Sequence, residues 1–246
     1  MCTDIEMTQG VYDRRGRIGL IVPSSNTTME MDYHRLRPEG ISIHTARIRF
    51  TGASSLEDLT TLLEDVDNTV SELLDCRPNV IVWGCTAASA APRVDDEVSR
   101  IIEVDHKVPC VMPLSAAVSA FRSLGVSRVS VAAPYTDEIL AGVRKYLEAK
   151  GIRVVKISGL GLSDNHSIAA QTPQTIRKLV RSADSSDAEG IFISCTNLRA
   201  LDLIDELEKD LGKVVITSNQ AGLWAALRKI GLDEHISGYG KLLNPS

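Results

Sequence analysis

In the stretch RIGLIVPSSN (17–26), an apolar run ends abruptly at a proline and is followed by small polar residues. A related stretch, RVSVAAPYTD (128–137), follows at an offset of 111 residues, with Pro134 opposite Pro23. A short run of apolar and β-branched residues that stops at a proline predicts a buried strand followed by a turn. The sequence therefore predicts two equivalent strands, each opening one half of the chain.

Three further pairs of segments repeat in the same order at nearly the same offset, which indicates a duplicated unit. The pairs are ISIHTA (41–46) with IRVVKI (152–157), VWGCT (82–86) with FISCT (192–196), and AVSAFRSLG (117–125) with LWAALRKIG (223–231). Strand-like runs alternate with helical patterns, as parallel strands with crossover helices require. We therefore predict an α/β fold with two related halves.

The segment SSLEDLTTLLEDVDNTVSELL (54–74) has apolar residues at steps of three and four. Its first residues form a Ser-x-x-Glu pattern, with Ser54 and Glu57 at the two ends, which is typical of a capping box. This periodicity predicts one amphipathic helix between the second and third strands.

Composition excludes several classes of partner. Lys and Arg number 27 against 32 Asp and Glu, the formal net charge is −5, and aromatic residues make up 4%. This balance argues against nucleic acid as a partner. The apolar runs are far shorter than the ~20 residues that cross a bilayer, and the polar N-terminus carries no apolar signal core. We expect no membrane partner and a cytoplasmic location.

Metal and cofactor motifs are missing from the sequence. The histidines are scattered without a His-Glu-x-x-His spacing, so no metal site is expected. The segment SGLGLSD (158–164) lacks the spacing of a dinucleotide fingerprint, and no Walker motif occurs. The cysteines are odd in number and widely spaced, which predicts neither a disulfide framework nor a zinc knuckle. They are Cys2, Cys76, Cys85, Cys110 and Cys195.

Two of the cysteines occupy equivalent positions in the repeat. Cys85 and Cys195 each follow an apolar run and precede a threonine. Ligands of open parallel sheets bind beyond the carboxyl ends of the strands, so both thiols are expected to face one cleft between the halves. A helix start after each cysteine would favour a thiolate, which suits a nucleophile or a proton carrier. The alternative is that each cysteine is an inert small apolar residue.

The chain resembles the aspartate/glutamate racemase superfamily, in the branch of maleate cis-trans isomerases, arylmalonate decarboxylases and ectoine-utilisation proteins. The segments that carry the resemblance are IVPSSNTTME (21–30), WGCT (83–86), VAAPYTDEI (131–139), GLSDNHSIA (161–169), ISCTN (193–197) and AGLWAALRKIG with GYGKLL (221–243). The resemblance implies two pseudo-symmetric Rossmann-like lobes, each with a four-stranded parallel sheet flanked by helices, and an active site between them.

The resemblance also implies how the chain is divided. We expect a disordered or extended N-terminus (1–16), a first lobe made of 17–118 and 219–246, and a second lobe made of 119–218. The helix after each fourth strand is expected to pack on the other lobe. A homo-oligomer is possible for this family.

The site residues follow from the matched segments. The resemblance assigns a covalent role to Cys85 and proton transfer to Cys195, without a cofactor. Asn26, Tyr135 and Asn165 match positions that hold substrate carboxylates, although both asparagines could instead be helix caps or turn formers. Hydroxyl or turn N–H donors could be added by Ser25, Thr86 and Thr196.

The resemblance leaves the chemistry with three alternatives. The first is cis-trans isomerisation of a small dicarboxylate, most of all maleate to fumarate. The second is a racemase or decarboxylase acting on an amino-acid-derived or arylmalonate-type acid, including a role in ectoine utilisation. The third is a binding protein without catalysis. Arylmalonate decarboxylases retain only the second cysteine, so the presence of both favours a two-thiol isomerase or racemase.

Overall fold

The computed structural model describes residues 13–50, 52–53 and 55–245. Eight strands are present in this part of the chain. They are β1 (Gly16–Pro23), β2 (Ile41–Ile48), β3 (Val80–Trp83), β4 (Cys110–Val111), β5 (Arg128–Ala133), β6 (Arg153–Gly159), β7 (Gly190–Ile193) and β8 (Val214–Thr217).

Helices connect successive strands. The α-helices are α1 (Met29–Leu36), α2 (Leu56–Thr60), α3 (Val66–Leu74), α4 (Thr86–Ser89), α5 (Val94–Ser99), α6 (Pro113–Ser123), α7 (Asp137–Ala149), α8 (Asn165–Ala169), α9 (Pro173–Ala183), α10 (Ile204–Leu211) and α11 (Ser218–Lys229). Short 3₁₀ segments cover Thr61–Asp65 and Leu201–Leu203, and a π-helical segment covers Arg100–Asp105.

The strands form two parallel sheets with the same connectivity. The first sheet has the order β2-β1-β3-β4 and the second the order β6-β5-β7-β8. Within both sheets, these eight strands pair in parallel. The α/β fold of two related four-stranded lobes is thereby confirmed, and the sequence repeat corresponds to a repeat of strand order.

Burial explains why the sequences of the central strands are continuous apolar runs. All four residues of β3 and all four of β7 are buried, because helices cover both faces of each sheet. The edge strands β2 and β6 are only partly buried. The central strands therefore fix the sheets, and their carboxyl ends carry the segments GCT (84–86) and SCT (194–196).

The last helix of each half packs against the other half. Phe121 of α6 makes an edge-to-face contact with Phe192 of β7, with ring centroids 6.2 Å apart. In the reverse direction α11 packs on α1, β3 and β4. This exchange brings the start of α11 against α1, which matters for the site.

The predicted helix over 54–74 is wrong in one respect, because it is interrupted. The helix α2 gives way to the 3₁₀ segment before α3 begins. The hydroxyls of Thr60 and Thr61 donate to carbonyls three residues earlier, which tightens the backbone at this point. The capping box is made by Ser55 and Asp58, one residue later than predicted, and Ser54 lies outside the described residues.

Two further expectations concern the N-terminus and membrane-spanning helices. The predicted disordered or extended N-terminus falls largely on residues 1–12, which lie outside the described residues. Among the helices that are described, none has both the length and the apolar character needed to cross a membrane.

Candidate active site

A cavity of about 30 Å³ lies between the two sheets, beyond the carboxyl ends of β1, β3, β5 and β7. None of the described residues that line it carries a charge. The polar and thiol lining consists of Asn26, Cys85, Thr86, Tyr135, Ser163, Asn165, Cys195, Thr196 and Asn197, and the apolar lining of Pro23, Phe50, Ala53, Leu59, Ala87, Ile139, Leu162 and Ile168. An anion in this cavity would therefore meet neutral donors and hydrocarbon, with no cationic side chain among these lining residues.

Both predicted cysteines line this cavity. Cys85 follows β3 by two residues and Cys195 follows β7 by two residues, so the repeat sets them at equivalent strand ends. The glycine before Cys85 is required by packing, since a Cβ on Gly84 would lie 2.5 Å from the carbonyl oxygen of Ile21. The close approach of these two strands fixes the direction in which the Cys85 segment leaves the sheet.

Cys85 is a protonated thiol at neutral pH in the unliganded protein. It sits at the start of α4, and the backbone N–H groups of Ala87 and Ala88 lower its pKa, as the sequence predicts. Burial is the larger effect and raises the pKa of Cys85 to about 12, with a further increase from the neighbouring Cys195. The expected preference for a resting thiolate is therefore outweighed.

Cys195 differs from Cys85 in its hydrogen-bond partners. Burial raises its pKa, whereas a hydrogen bond with the phenol of Tyr135 lowers it. The backbone N–H of Asn197 also donates to the Cys195 Sγ atom over 3.3 Å. A thiol that shares a proton with a buried phenol is suited to proton transfer.

Asn26 both forms the turn before α1 and lines the cavity. Its Oδ1 accepts from the backbone N–H groups of Thr28 and Met29 at 2.9 and 3.0 Å, which holds the start of α1. Its Nδ2 donates to the Thr196 hydroxyl over 3.1 Å. The turn-former alternative from the sequence is thus the correct one, since the N-cap residue of α1 is Thr28, and a second N–H of the Asn26 amide remains for a ligand.

Asn165 is joined to the other lobe through Ser25. Its Nδ2 donates to Ser25 Oγ at 2.8 Å, and Ser25 Oγ donates to the carbonyl of Phe50 at 2.7 Å. The cap of α8 is Asp164 rather than Asn165. The Asn165 amide therefore keeps one N–H donor available at the cavity.

Two hydroxyls expected to serve a ligand are already used by the backbone. Thr196 Oγ1 donates to the carbonyl of Gly84 at 2.7 Å, just as Ser25 donates to Phe50. Ser25 is also absent from the cavity lining. By contrast, Thr86 Oγ1 is buried and is not bound to the backbone of any described residue; it lies beside the Tyr135 phenol and lowers the pKa of that group. Thr86 is therefore the hydroxyl best able to donate to a ligand.

Sequence reasoning missed Asn197. Its Oδ1 accepts from the backbone N–H of Thr27, its carbonyl accepts from Thr28, and its Nδ2 donates to the carbonyl of Asn165. It thus joins three segments at the rim of the cavity. A signal was present, because Asn197 ends the segment ISCTN (193–197), where the first half has an alanine after its Cys-Thr pair.

Alkylation should reach Cys76 before Cys85 in the unliganded protein, although Cys85 faces a cleft. Cys76 is partly exposed, whereas Cys85 is 7% exposed and burial raises its pKa to about 12. Iodoacetamide treatment near neutral pH followed by peptide mapping checks this order. Labelling of Cys85 ahead of Cys76 would contradict the burial of the Cys85 thiol.

Comparison with known proteins agrees with this arrangement. The family model for arylmalonate decarboxylase matches residues 18–243. The chain belongs to this family. Within the arylmalonate decarboxylase family, the chain is 30% identical to maleate isomerase of Nocardia farcinica, over 92% of this chain and 95% of the relative. It is 27% identical to maleate isomerase of Geobacillus stearothermophilus, over 93% and 97% of the two chains.

Solved structures extend the likeness to the fold. A cysteine-to-serine variant of the Nocardia farcinica isomerase, with a covalently bound succinylcysteine intermediate, superposes with a TM-score of 0.87 at 27% identity, over 94% of this chain and 99% of that one. A liganded variant of arylmalonate decarboxylase gives 0.86 at 26% identity, over 94% and 100% of the two chains. Both branches of the family therefore share this two-lobed fold.

Proposed function

We propose that this chain converts maleate to fumarate without a cofactor, through a covalent adduct on Cys85. The observation that carries the proposal is the pair of buried thiols that line one uncharged cavity. The four described cysteines are all free, which supports a reducing, cytoplasmic compartment in which both thiols remain usable. Two relatives of nearly full coverage are maleate isomerases.

The first step adds sulfur to the double bond. The Cys85 thiol gives its proton to solvent, and its sulfur bonds to C2 of maleate while the alkene electron pair moves through C3 into the adjoining carboxylate. The resulting enediolate-like charge is stabilised by neutral donors such as the amides of Asn26 and Asn165. The thiol of Cys195 then gives its proton to C3, which leaves a C2–C3 single bond.

The second half reverses these bonds after rotation. Rotation about C2–C3 moves the carboxylates from the cis to the trans arrangement. The Cys195 thiolate removes a proton from C3, the alkene re-forms, and the C2–S bond breaks to release fumarate and the Cys85 thiolate, which regains its proton from solvent. The hydrogen bond between Cys195 and Tyr135 supports assigning proton transfer to Cys195 rather than to Cys85. All atoms and electrons balance without an added reactant.

Decarboxylation of an arylmalonate is the second candidate, because the matching family model is that of arylmalonate decarboxylase. Two features favour the isomerase. A decarboxylase of this family needs one cysteine, and here a second thiol, Cys85, faces the same cavity. The cavity of about 30 Å³ must also expand more for an aryl group than for a four-carbon diacid.

Proton NMR of the protein with maleate tests the proposal directly. We expect the olefinic signal of maleate to fall as that of fumarate rises. Parallel samples contain phenylmalonate, where loss of a carboxyl group would favour the decarboxylase, and an amino acid in D₂O, where α-hydrogen exchange would favour a racemase. Turnover of either with no change to maleate would overturn the isomerase assignment.

The rate should rise with pH, because only the Cys85 thiolate adds to maleate. The pKa of Cys85, about 12, lies above the pH range in which the rate can be measured, so the thiolate fraction grows tenfold with each pH unit. From about pH 7 to about pH 9, kcat/KM should therefore rise roughly tenfold per unit. Initial rates of fumarate formation measure this slope. A profile that is flat over this range would mean that Cys85 is already ionised in the free enzyme.

A further inference from the structure

A closed ring of buried hydrogen bonds lies beside the cavity. Asn219, at the start of α11, donates from Nδ2 to the Thr196 carbonyl over 3.0 Å and to Asp32 Oδ2 over 2.7 Å. Asp32 belongs to α1, whose first residue, Met29, donates its backbone N–H to Asn26 Oδ1, and Asn26 donates to the Thr196 hydroxyl. Neither Asp32 nor Asn219 lines the cavity. The ring therefore acts on the cavity only through its other members.

The chemistry of the ring fixes the orientation of the Asn219 amide. Both partners of its nitrogen, the Asp32 carboxylate and the Thr196 carbonyl, are acceptors, so the NH₂ group must face them. The Oδ1 atom of Asn219 is buried without a partner among the described residues. Both N–H donors of the Asn219 amide are thus used to connect Thr196 to α1.

Thr196 is the residue through which the ring reaches both thiols. It follows Cys195 directly, and its hydroxyl donates to the carbonyl of Gly84, which precedes Cys85. A shift of the Thr196 backbone would therefore move the two cysteine segments relative to each other. Displacement of about 1 Å at a reacting centre costs on the order of 100-fold in rate.

We propose that Asp32 is a positioning residue, whose carboxylate holds Asn219 and through it the spacing between the Cys85 and Cys195 segments. The proposal rests on the proposed function, because the two segments must cooperate in one reaction. It assigns no contact between Asp32 and the substrate.

The strength of this hold depends on the charge of Asp32. Burial raises the pKa of Asp32 to about 6, and the bond from Asn219 lowers it. The charged groups that face Asp32 are Arg35 on its own helix and Arg199 and Asp202 after β7; the two arginines lower the pKa and Asp202 raises it. A carboxylate accepts from an amide more strongly than a carboxylic acid does. The ring is therefore held firmly above about pH 6 and loosens below it.

The pKa of Asp32 also predicts an effect on stability of the opposite sign. A carboxyl whose pKa is raised on folding binds protons more tightly in the folded state, so its contribution to stability falls as pH rises from about 4 to about 6. At neutral pH Asp32 is thus ionised, although its ionisation lowers the free energy of unfolding.

The test compares wild type with Asp32→Asn, which keeps an acceptor oxygen for Asn219 but cannot titrate. The ratio of wild-type to variant kcat should be near one at about pH 5 and rise to about tenfold at about pH 8, with its midpoint near 6. Titration of the substrate's own carboxyl would affect both enzymes equally and cancel in the ratio. The control is Asp202→Asn, which removes the same charge at a nearby exposed position. This variant should keep wild-type kcat at pH 8.

A measurement without substrate separates this proposal from the isomerase assignment. In ¹⁵N-labelled wild type, the Asn219 side-chain signal and the backbone N–H signal of Asn197 should titrate together near pH 6, and Asp32→Asn should abolish both transitions. The melting temperature of Asp32→Asn should exceed that of wild type near pH 7.5 and match it near pH 4. If maleate is not converted but these titrations occur, the proposed function fails alone. A kcat ratio that does not change with pH, or an Asn197 signal indifferent to Asp32, overturns the positioning role.

Discussion

Replacing Cys85 with serine should lower kcat for maleate by about 10⁴-fold or more, comparable to the loss of a covalent nucleophile in other enzymes. Serine nearly preserves the shape of the side chain, but its hydroxyl is far more weakly acidic than a thiol and forms no comparable nucleophile. Because the proposed mechanism assigns the carboxylates to Asn26 and Asn165 and not to Cys85, we expect KM to change much less. Fumarate formation measured by proton NMR gives both constants.

The matched control for this substitution is Cys76→Ser. Cys76 is a free thiol outside the cavity, so its replacement should leave kcat unchanged. Circular dichroism of both variants checks that the fold persists. If Cys85→Ser retained more than about a tenth of wild-type kcat, an adduct at Cys85 could not be the route of the reaction.

Replacing Cys195 with serine should lower kcat by about 10² to 10⁴-fold, the range expected for loss of a general acid or base. The thiol that is hydrogen-bonded to the Tyr135 phenol would be gone, while the Cys85 sulfur would still be able to add. We expect the effect to fall on kcat rather than KM, since Asn26 and Asn165 still offer their amide donors to the carboxylates. Initial rates across maleate concentrations separate the two constants.

Cys110→Ala is the control for Cys195→Ser, because Cys110 is equally buried but lies at the start of β4, away from the cavity. It can reduce stability through lost packing, yet kcat per folded molecule should persist. A Cys195→Ser enzyme with wild-type kcat would mean that solvent or another residue supplies the proton, and the two-thiol mechanism would not apply.

The repeat made much of the fold predictable from sequence. Strands at equivalent positions, such as those ending at Pro23 and Ala133, form the centre of each sheet and pair in the same order. The Cys-Thr pairs at residues 85 and 195 lie at carboxyl ends of parallel strands, and the topology of such sheets brings these ends to one edge. Local periodicity and repeated order were enough for both results.

What the sequence left undetermined depends on contacts between distant parts of the chain. Whether a thiol is ionised depends on the balance between burial and helix N–H groups, and the burial of Cys85 becomes visible only in the packed cleft. The bond between Asp32 and Asn219 spans 187 positions and arises because α11 packs on the first lobe. The break after α2 follows from hydroxyl bonds of Thr60 and Thr61, which helical periodicity does not reveal.

Peptide mapping by mass spectrometry of the Cys195→Ser variant after incubation with maleate tests the covalent mechanism most directly. Without the Cys195 thiol, solvent protonates C3 of the adduct and no thiolate removes that proton again, so the succinyl adduct on Cys85 should accumulate; a related isomerase variant does carry a succinylcysteine. We expect that Cys85, and no other cysteine, gains the mass of one substrate molecule. An unmodified Cys85 in a sample where wild-type enzyme has produced fumarate, or a modification found on Cys76 or Cys110 instead, would contradict it.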